Sequence, residues 1–323
     1  MKRVIFFLCA CLLAGCSAGR SAPQSSDAPI SSAAPEKVEE STATANPTLE
    51  TVTIDPEELK RPNSKKEMLF EIEPGQVIVD QNGIKITTLY SINNVYGPGF
   101  RYKIENNTGK SVFSYQYVTT INGYDGYYMR ADWGTASPGV GYGEFHFDPD
   151  LYLNCGINTN AIGEIGGQFY FEELETRKLM FESKPFTLKT NKYDQMSKLD
   201  DEKFETVYDD DSITVRIAPE KKLFSDGMLI LVTNKMKTGQ VFNVGNFEIN
   251  GQKMNCLLSL IAAPGGTAVS RMQLFRSQLS EAGITDYDDI NSIKMSLDAA
   301  EPHNTIELCD YSSQDFEVPF YTE

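Results

Sequence analysis

Apolar and polar residues alternate along much of the chain, a period of two that is typical of strands burying one face. The alternation is clearest in residues 100–105, 213–218 and 293–298. In each segment every second residue is apolar and most of the others are polar, as antiparallel strands with one solvated side require. Asn82-Gly83 and Asn122-Gly123 add two hairpin signals, because both central residues of a type I′ turn need positive φ.

The pattern occurs twice, with a period of about 128 residues. Six phrases recur in the same order: residues 79–86 as 208–215, 100–107 as 228–235, 121–123 as 249–251, 138–139 as 264–265, 155–157 as 282–284 and 185–186 as 315–316. This colinear series predicts two copies of one module, at residues 74–189 and 204–320. Residues 190–203 form a polar connector between them.

Each copy has room for about seven or eight short strands, which favours an all-β fold of two tandem antiparallel β-sandwich domains with immunoglobulin-like architecture. A small closed barrel is the main alternative. Each copy also has one short helical segment, near residues 277–282 and, more weakly, residues 150–154.

The N-terminus has the pattern of a signal peptide. Lys2 and Arg3 precede an apolar run over residues 4–13, which is too short to span a bilayer. The run ends in Leu13-Ala14-Gly15-Cys16, which resembles the lipobox of bacterial lipoproteins. The resemblance implies that residues 1–16 are a lipoprotein signal peptide, cleaved before a lipidated Cys16. The alternative is an ordinary secretory signal with an incidental cysteine.

Residues 17–66 are rich in Ser, Ala, Pro, Thr and Glu and poor in large apolar residues. Such a segment buries too little apolar surface to offset its chain entropy, so it is predicted to be disordered. A flexible coil of about 50 residues has a root-mean-square span of about 40 Å. The segment is therefore predicted to tether the folded modules close to the membrane.

The chain of 323 residues carries 29 Lys and Arg against 45 Asp and Glu, a net charge of −16. No basic stripe occurs, and this excludes a nucleic-acid partner. Loss of Lys2 and Arg3 with the signal peptide would leave 27 − 45, or −18. Anionic lipid heads would repel that charge, so the membrane partner is predicted to be reached through the N-terminal lipid on the extracytoplasmic face.

The module phrases resemble a domain family of unknown function in Firmicute lipoproteins. The resemblance rests on the strand with its acidic, Gly-containing turn, on Ile104-Glu105-Asn106-Asn107 after an alternating strand, and on Asn122-Gly123. The second copy departs from it with Thr233-Asn234-Lys235. The resemblance implies immunoglobulin-like modules behind a lipobox and a tether, with no catalytic residue to carry over.

Motifs for catalysis or cofactor binding are missing from the sequence, so neither enzyme activity nor a cofactor or metal is predicted. His146 and His303 are interpreted as surface residues. The acidic runs 209–211 and 286–289 lack the alternating spacing of a calcium loop and are interpreted as solvated turns. A hydrolase with paired carboxylates and a transporter's solute-binding component are weaker alternatives, the latter because alternating strands and helices are missing.

Three cysteines, Cys155, Cys256 and Cys309, remain after the signal peptide and lipid attachment site. Their odd number argues against a disulfide framework. A disulfide between Cys256 and Cys309 stays open at this point; otherwise these are small buried residues.

The middle of the first module is crowded with aromatic residues and glycines, where the second module has aliphatic residues. The candidate ligand contacts in this aromatic patch are Tyr124, Tyr127, Tyr128, Trp133 and Tyr142. The alternative is that these rings pack inward and across the sheet.

These patterns together predict a non-enzymatic, lipid-anchored surface protein that acts as a binding or scaffold module through its tandem domains. The alternative function is binding of a glycan or cell-wall ligand at the aromatic patch of the first module.

Overall fold

A computed structural model of the chain describes residues 48–49, 67–127, 133–218, 227–302 and 309–319. The predicted signal peptide with Cys16, most of the predicted tether, Tyr128 and His303 lie outside the described residues. Within them, antiparallel strands predominate, and the two α-helices are six residues long.

Among the described residues the first module contains ten strands and one α-helix, α1, and one further strand, from the segment predicted to be a disordered tether, pairs with the first of the ten. They are β1 Thr48–Leu49, β2 Gln76–Gln81, β3 Ile84–Asn94, β4 Gly97–Asn106, β5 Val112–Ile121, β6 Tyr124–Tyr127, β7 Trp133–Ala136, β8 Gly139–His146, α1 Pro149–Asn154, β9 Glu164–Glu173, β10 Leu179–Glu182 and β11 Phe186–Lys189. The 3-10 turns Tyr193–Gln195 and Asp201–Lys203 follow in the connector.

The second module repeats this order. Its described elements are β12 Glu205–Asp209, β13 Ile213–Ala218, β14 Met228–Asn234, β15 Gln240–Ile249, β16 Gln252–Lys253, β17 Cys256–Leu257, β18 Ser259–Ala262, β19 Thr267–Leu274, α2 Arg276–Glu281, the 3-10 turn Tyr287–Asp289, β20 Ile293–Ala300, β21 Tyr311–Ser312 and β22 Phe316–Glu317. The helices α1 and α2 lie where the sequence predicts short helices.

Each module is a sandwich of two layers. In the first module β2, β3, β4 and β8 pair in that order, and β5 pairs with β9, which also pairs with β10 and β11. In the second module β12, β13, β14 and β19 form one layer, and β15 pairs with β20 in the other. The chain thus crosses between layers from β4 to β5 and returns at β8 beside β4, a crossover of the immunoglobulin-like kind.

The sandwich prediction is therefore confirmed. In the second module the two layers share no strand pairing among the described residues, so the closed-barrel alternative is wrong there.

The asparagine-glycine turns have the backbone geometry that the sequence predicts. Asn82 and Asn122 have φ of 50° and 52°, and the glycines that follow have φ of 81° and 89°. Asn250 and Gly251 repeat this geometry in the second module, with φ of 53° and 75°. Asparagine tolerates the left-handed region better than other side chains, which is why it precedes glycine here.

Two equivalent asparagines hold equivalent loops. The Asn106 side-chain amide donates to the carbonyls of Lys110 and Ala136, at 2.7 and 2.8 Å. The Asn234 side-chain amide makes the matching bonds to the carbonyls of Thr238 and Ala262, at 2.9 and 3.2 Å. Both asparagines are buried, and in each set the longer-range bond, to Ala136 or Ala262, satisfies a buried carbonyl group.

Candidate binding surfaces

Strand β14 of the second module is buried on both faces. In β14, Ile230 and Val232 face the core of their own module. Leu229 and Leu231 lie on the opposite face and belong to the core cluster of the first module; Leu231 has 0% of its surface exposed. The two modules therefore share an apolar junction, and the described residues after Ser41 belong to one compact unit.

One end of the first module makes the polar contacts of this junction. That end consists of the β5–β6 hairpin and α1. The Asp125 carboxylate accepts a hydrogen bond from the Ala263 backbone N–H at 2.9 Å, and β6 pairs in parallel with β19 at Asp125 and Ala268. At α1, the Asn154 carbonyl accepts from Arg271 Nε at 2.5 Å. A small cluster of Val118, Tyr170, Val241, Ile261 and Ala263 fills the side of the junction.

Asp125 is the buried acid of the junction. Burial raises the pKa of its carboxyl to about 7, against the opposing effect of hydrogen bonds from Thr120 Oγ1 and the Ala263 N–H. A Cβ at Gly266 would collide with the Asp125 carboxylate, so only glycine permits this close approach of the second module.

The described residues of the predicted aromatic patch do not form one surface. Tyr124 is 7% exposed and belongs to the first core cluster, which leaves it little surface for a ligand. Tyr142 is half-buried on β8, in the other layer of the sandwich. The backbones of Tyr127 and Trp133 lie in β6 and β7, but their side chains, like all of Tyr128, are outside the described residues.

Other rings of the aromatic segment pack inward. Phe100 and Phe145 stack at 4.7 Å between ring centroids, and Phe169 lies 6.0 Å from Phe145. Glycines make room for such rings: a Cβ at Gly143 would collide with the ring of Tyr102. The mixture of glycines and aromatic residues in this segment thus has a packing explanation.

The outer face of β4 and β8 carries a network of charged side chains. Arg101 Nη1 donates to Glu144 Oε1 at 3.0 Å, and Asn94 Nδ2 donates to Glu144 Oε2 at 3.1 Å. His146 Nε2 lies 3.0 Å from the same Glu144 Oε2, and its Nδ1 lies 3.1 Å from the Gly97 carbonyl. The hydrogen bond from His146 lowers the pKa of Glu144, against the effect of burial, and the charge of Arg101 lowers it further.

The interpretation of His146 as a surface residue is wrong, because its side chain is 0% exposed. The strand register explains this position: Gly99 lies opposite His146 on β4 and leaves room beside it, while Arg101 lies opposite Glu144.

Two tyrosines flank this network. The Tyr96 ring meets the His146 ring edge-on at 5.9 Å between centroids, and the Arg101 guanidinium lies 5.8 Å from the Tyr142 ring centroid. Tyr96 is 52% exposed. We call Tyr96, Arg101, Tyr142, Glu144 and His146 the tyrosine–arginine face. Alternation along residues 141–146 places Tyr142, Glu144 and His146 on one face of β8, and the pairing of β4 with β8 brings Arg101 beside them.

The acidic runs use their carboxylates within the fold. Asp209 accepts from Lys235 Nζ at 2.6 Å, and that hydrogen bond lowers the pKa of Asp209. Asp210 accepts from the Ser212 and Ile213 N–H groups and from the Tyr311 hydroxyl. The described residues contain no group of three or more acidic, histidine or cysteine side chains placed to hold a metal ion.

The three cysteines of the folded part are free thiols. Cys155 is buried, Cys256 is half-buried and Cys309 is exposed. The disulfide between Cys256 and Cys309 that the sequence leaves open is not formed, and Cys309 is not one of the small buried residues expected. Burial raises the pKa of the Cys256 thiol to about 12, so it stays protonated at neutral pH.

Among the described residues, no helix is both long enough and apolar enough to cross a bilayer.

Comparison with known proteins gives no family. No family model matches the chain, and no curated protein matches it. Among solved structures, the chain is similar to a crystal structure described as a protein of unknown function from Porphyromonas gingivalis W83. The two are 11% identical, with 64% of this chain and 86% of the other covered and a TM-score of 0.16.

Proposed function

We propose that the protein is a non-enzymatic binding protein, anchored by the lipid on Cys16 to the extracytoplasmic face of the cell membrane. The lipobox at residues 13–16 and the composition of residues 17–66 support the anchor and tether. The two β-sandwich modules are consistent with the Firmicute lipoprotein family that the module phrases resemble, and with a binding or scaffold role rather than catalysis.

The observation that carries this proposal is the tyrosine–arginine face. Tyrosine is enriched among residues that dominate binding energy at interfaces, and the rings of Tyr96 and Tyr142 are the parts of this face that a partner can reach. Arg101 is only 4% exposed; it is held by a 3.0 Å hydrogen bond to Glu144 and lies beside the Tyr142 ring, and the buried His146 supports the ring of Tyr96. A surface whose side chains are already fixed loses less conformational entropy when it binds a partner.

The second module supports this surface as a platform. Because Leu229 and Leu231 are buried in the junction, the first module has a fixed orientation on the second. A partner bound at the tyrosine–arginine face would then lie at a defined position relative to the second module, which is what a scaffold requires.

The ligand class that we favour first is a protein partner, and the alternative is a glycan of the cell wall. The exposed ring of Tyr96 and the half-buried ring of Tyr142 favour the alternative enough to retain it, since aromatic rings pack well against sugar rings. Among the described residues of the aromatic patch, Tyr142 is the one on which the glycan alternative depends.

The binding experiments use the full-length protein, in detergent for co-sedimentation and in its native membrane for photocrosslinking. Co-sedimentation with purified cell walls, and photocrosslinking from a benzophenone amino acid at position 96 in intact cells, distinguish glycan from protein partners. We expect Tyr142→Ala to weaken the interaction at least tenfold. Tyr193→Ala is the matched control, because that half-buried ring lies in the connector, against Lys189 of β11. Equal binding by the Tyr142 variant and the parent would remove the tyrosine–arginine face as the site.

The anchor has its own test. Cys16→Ser should abolish metabolic labelling with palmitate and release the protein from the membrane fraction. Cys309→Ser, which changes an exposed free thiol, should leave both unchanged. Membrane retention of the Cys16 variant would show that the lipid is not the anchor.

A further inference from the structure

The two modules present the same end in two different environments. In the first module this end is the β5–β6 hairpin with α1, and in the second it is the β15–β16 hairpin with α2. Counted from the shared asparagine-glycine turn, Gln252 and Lys253 occupy the positions of Tyr124 and Asp125.

The end of the first module is covered by the second module, through the contacts of Asp125 with Ala263 and of Asn154 with Arg271. Within the described ranges, no other part of the chain covers the end of the second module. Gln252, Lys253, Asn255 and Glu281 are exposed there.

A cleft of about 510 Å³ lies at this open end, between β15, the segment that follows β16, and α2. That volume is within the range of small-molecule sites, roughly 300 to 1,000 Å³. The polar residues that line the cleft are Asn246, Gln252, Lys253, Asn255, Gln278 and Glu281. A bulge in β15 between Val244 and Asn246 interrupts the strand register at the cleft.

The side-chain amides of Asn246 and Gln278, which line the cleft, are each held in place by hydrogen bonds that leave one hydrogen-bonding group unused. Asn246 Nδ2 donates to Glu248 Oε1 at 3.2 Å and to the Asp315 carboxylate at 3.3 Å, which leaves its Oδ1 as an acceptor. Gln278 Oε1 accepts from the Asn255 N–H at 2.7 Å, which leaves its Nε2 as a donor. Lys253 and Glu281 contribute opposite charges, so the lining has no net charge.

From this chemistry we infer that the cleft of the second module binds a short neutral saccharide. A hydroxyl group donates and accepts at once, and it matches a lining that offers amide acceptors and amide donors together. A balanced lining gives no advantage to a strongly charged ligand.

An extended peptide fits less well, because adding a strand requires an open sheet edge. At this edge β16 has two residues, and the Asn255 N–H that follows them already donates to Gln278 Oε1. This saccharide site is separate from the tyrosine–arginine face and does not depend on it.

The test measures binding of chitotriose, cellotriose and maltotriose to the full chain by titration calorimetry, with pentaglycine as the peptide probe. At least one trisaccharide should bind. Gln278→Ala and Gln252→Ala should each weaken that binding at least fivefold. Gln273→Ala, an exposed glutamine on β19 outside the lining, is the matched control and should bind like the parent.

Thermal unfolding checks each variant. Gln252→Ala is the safer one, because Gln252 is exposed on a short edge strand and its loss leaves the Gln278–Asn255 bond intact. The inference is overturned if no trisaccharide binds at millimolar concentration, if folded cleft variants bind like the parent, or if pentaglycine alone binds. Loss of binding in Tyr142→Ala with the cleft variants unaffected would move the saccharide to the tyrosine–arginine face.

Discussion

At the scale of single residues, buried amides and acids determine how the loops and the junction are held. Asn106 and Asn234 each satisfy carbonyls of two chain segments that lie close in space but far apart in sequence. A short side chain with two donors can bridge these segments, which explains why the same residue type occupies both positions.

Replacing Asn106 should be costly. In Asn106→Ala the buried Ala136 carbonyl loses its donor and the part-buried bond to Lys110 is lost as well, so we expect the free energy of unfolding to fall by about 1 to 3 kcal/mol. The next residue, Asn107, is exposed, and Asn107→Ala should change the free energy of unfolding by less than about 1 kcal/mol. Urea unfolding measures both, and similar losses in the two variants would contradict the role given to the Asn106 amide.

Asp125 should make the stability of the protein depend on pH. Its folded-state pKa of about 7 lies above its ordinary value of 3.8, so the folded state binds this proton more tightly than the unfolded state. The carboxyl therefore destabilises the fold above pH 7, and its contribution becomes more favourable as pH falls from about 8 to about 4. Between these two pH values, this carboxyl changes the free energy of unfolding by at most about 4 kcal/mol.

Asp125→Asn removes this titration while keeping an acceptor for the Ala263 N–H. We expect the variant to be more stable than the parent at pH 8, and by a clearly smaller margin at pH 5, in urea unfolding at both values. Asp211→Asn, at an exposed position, controls for the loss of one negative charge. A stability difference that does not change with pH would show that Asp125 does not titrate in this range.

At the scale of elements, β4 and β14 are equivalent strands with different outer faces. Both turn apolar residues toward their own core, such as Tyr102 and Ile230. Outward, β4 carries Arg101 and Lys103 where β14 carries Leu229 and Leu231. The outer face of β14 is apolar because the first module covers it.

This difference predicts a matched pair of substitutions. Leu231→Ala should lower the free energy of unfolding by about 2 to 5 kcal/mol, because it opens a cavity at a fully buried position. Lys103→Ala removes a partly exposed side chain paired with Glu105 and should cost less than about 1 kcal/mol. Chemical denaturation of both variants gives the comparison, and a small effect of Leu231→Ala would mean that the junction is not tightly packed.

At the scale of the whole molecule, the junction should couple the unfolding of the two modules. Scanning calorimetry of the full chain should show one transition, since unfolding either module exposes apolar surface of the other. Leu231→Asp places a charge in this surface and should separate the trace into two transitions. Gln273→Asp adds the same charge at an exposed position and should preserve one. Two transitions in the parent would contradict the coupling.

Much of the fold was predictable from sequence because its signals are local or repeated. Alternation gave strands such as β13, the asparagine-glycine turns gave hairpins, and the repeat gave two sandwiches. The unbroken apolar run Met228–Val232 also carries a signal, since a strand buried on both faces has no alternation. It does not identify the neighbour that covers the second face.

The candidate sites were less predictable because they depend on packing between distant segments. The tyrosine–arginine face requires the register that places Arg101 opposite Glu144, and no local pattern contains that register. The cleft requires α2 to pack beside the β15–β16 hairpin. The aromatic residues of the first module gave a misleading signal at Tyr124, because composition does not distinguish a ring that faces solvent from one that faces the core.

The junction is heterologous: it joins the end of one module to the face of the next. A contact of this kind has no geometric reason to stop, and repeated addition produces a fibre. At the contact that is used, the surfaces carry Tyr124 and Leu231, whereas the corresponding positions at the other end and face carry Gln252 and Lys103. Polar residues at these two positions do not favour a further copy of the same contact, as the polar outer faces of terminal repeats do not in solenoid proteins.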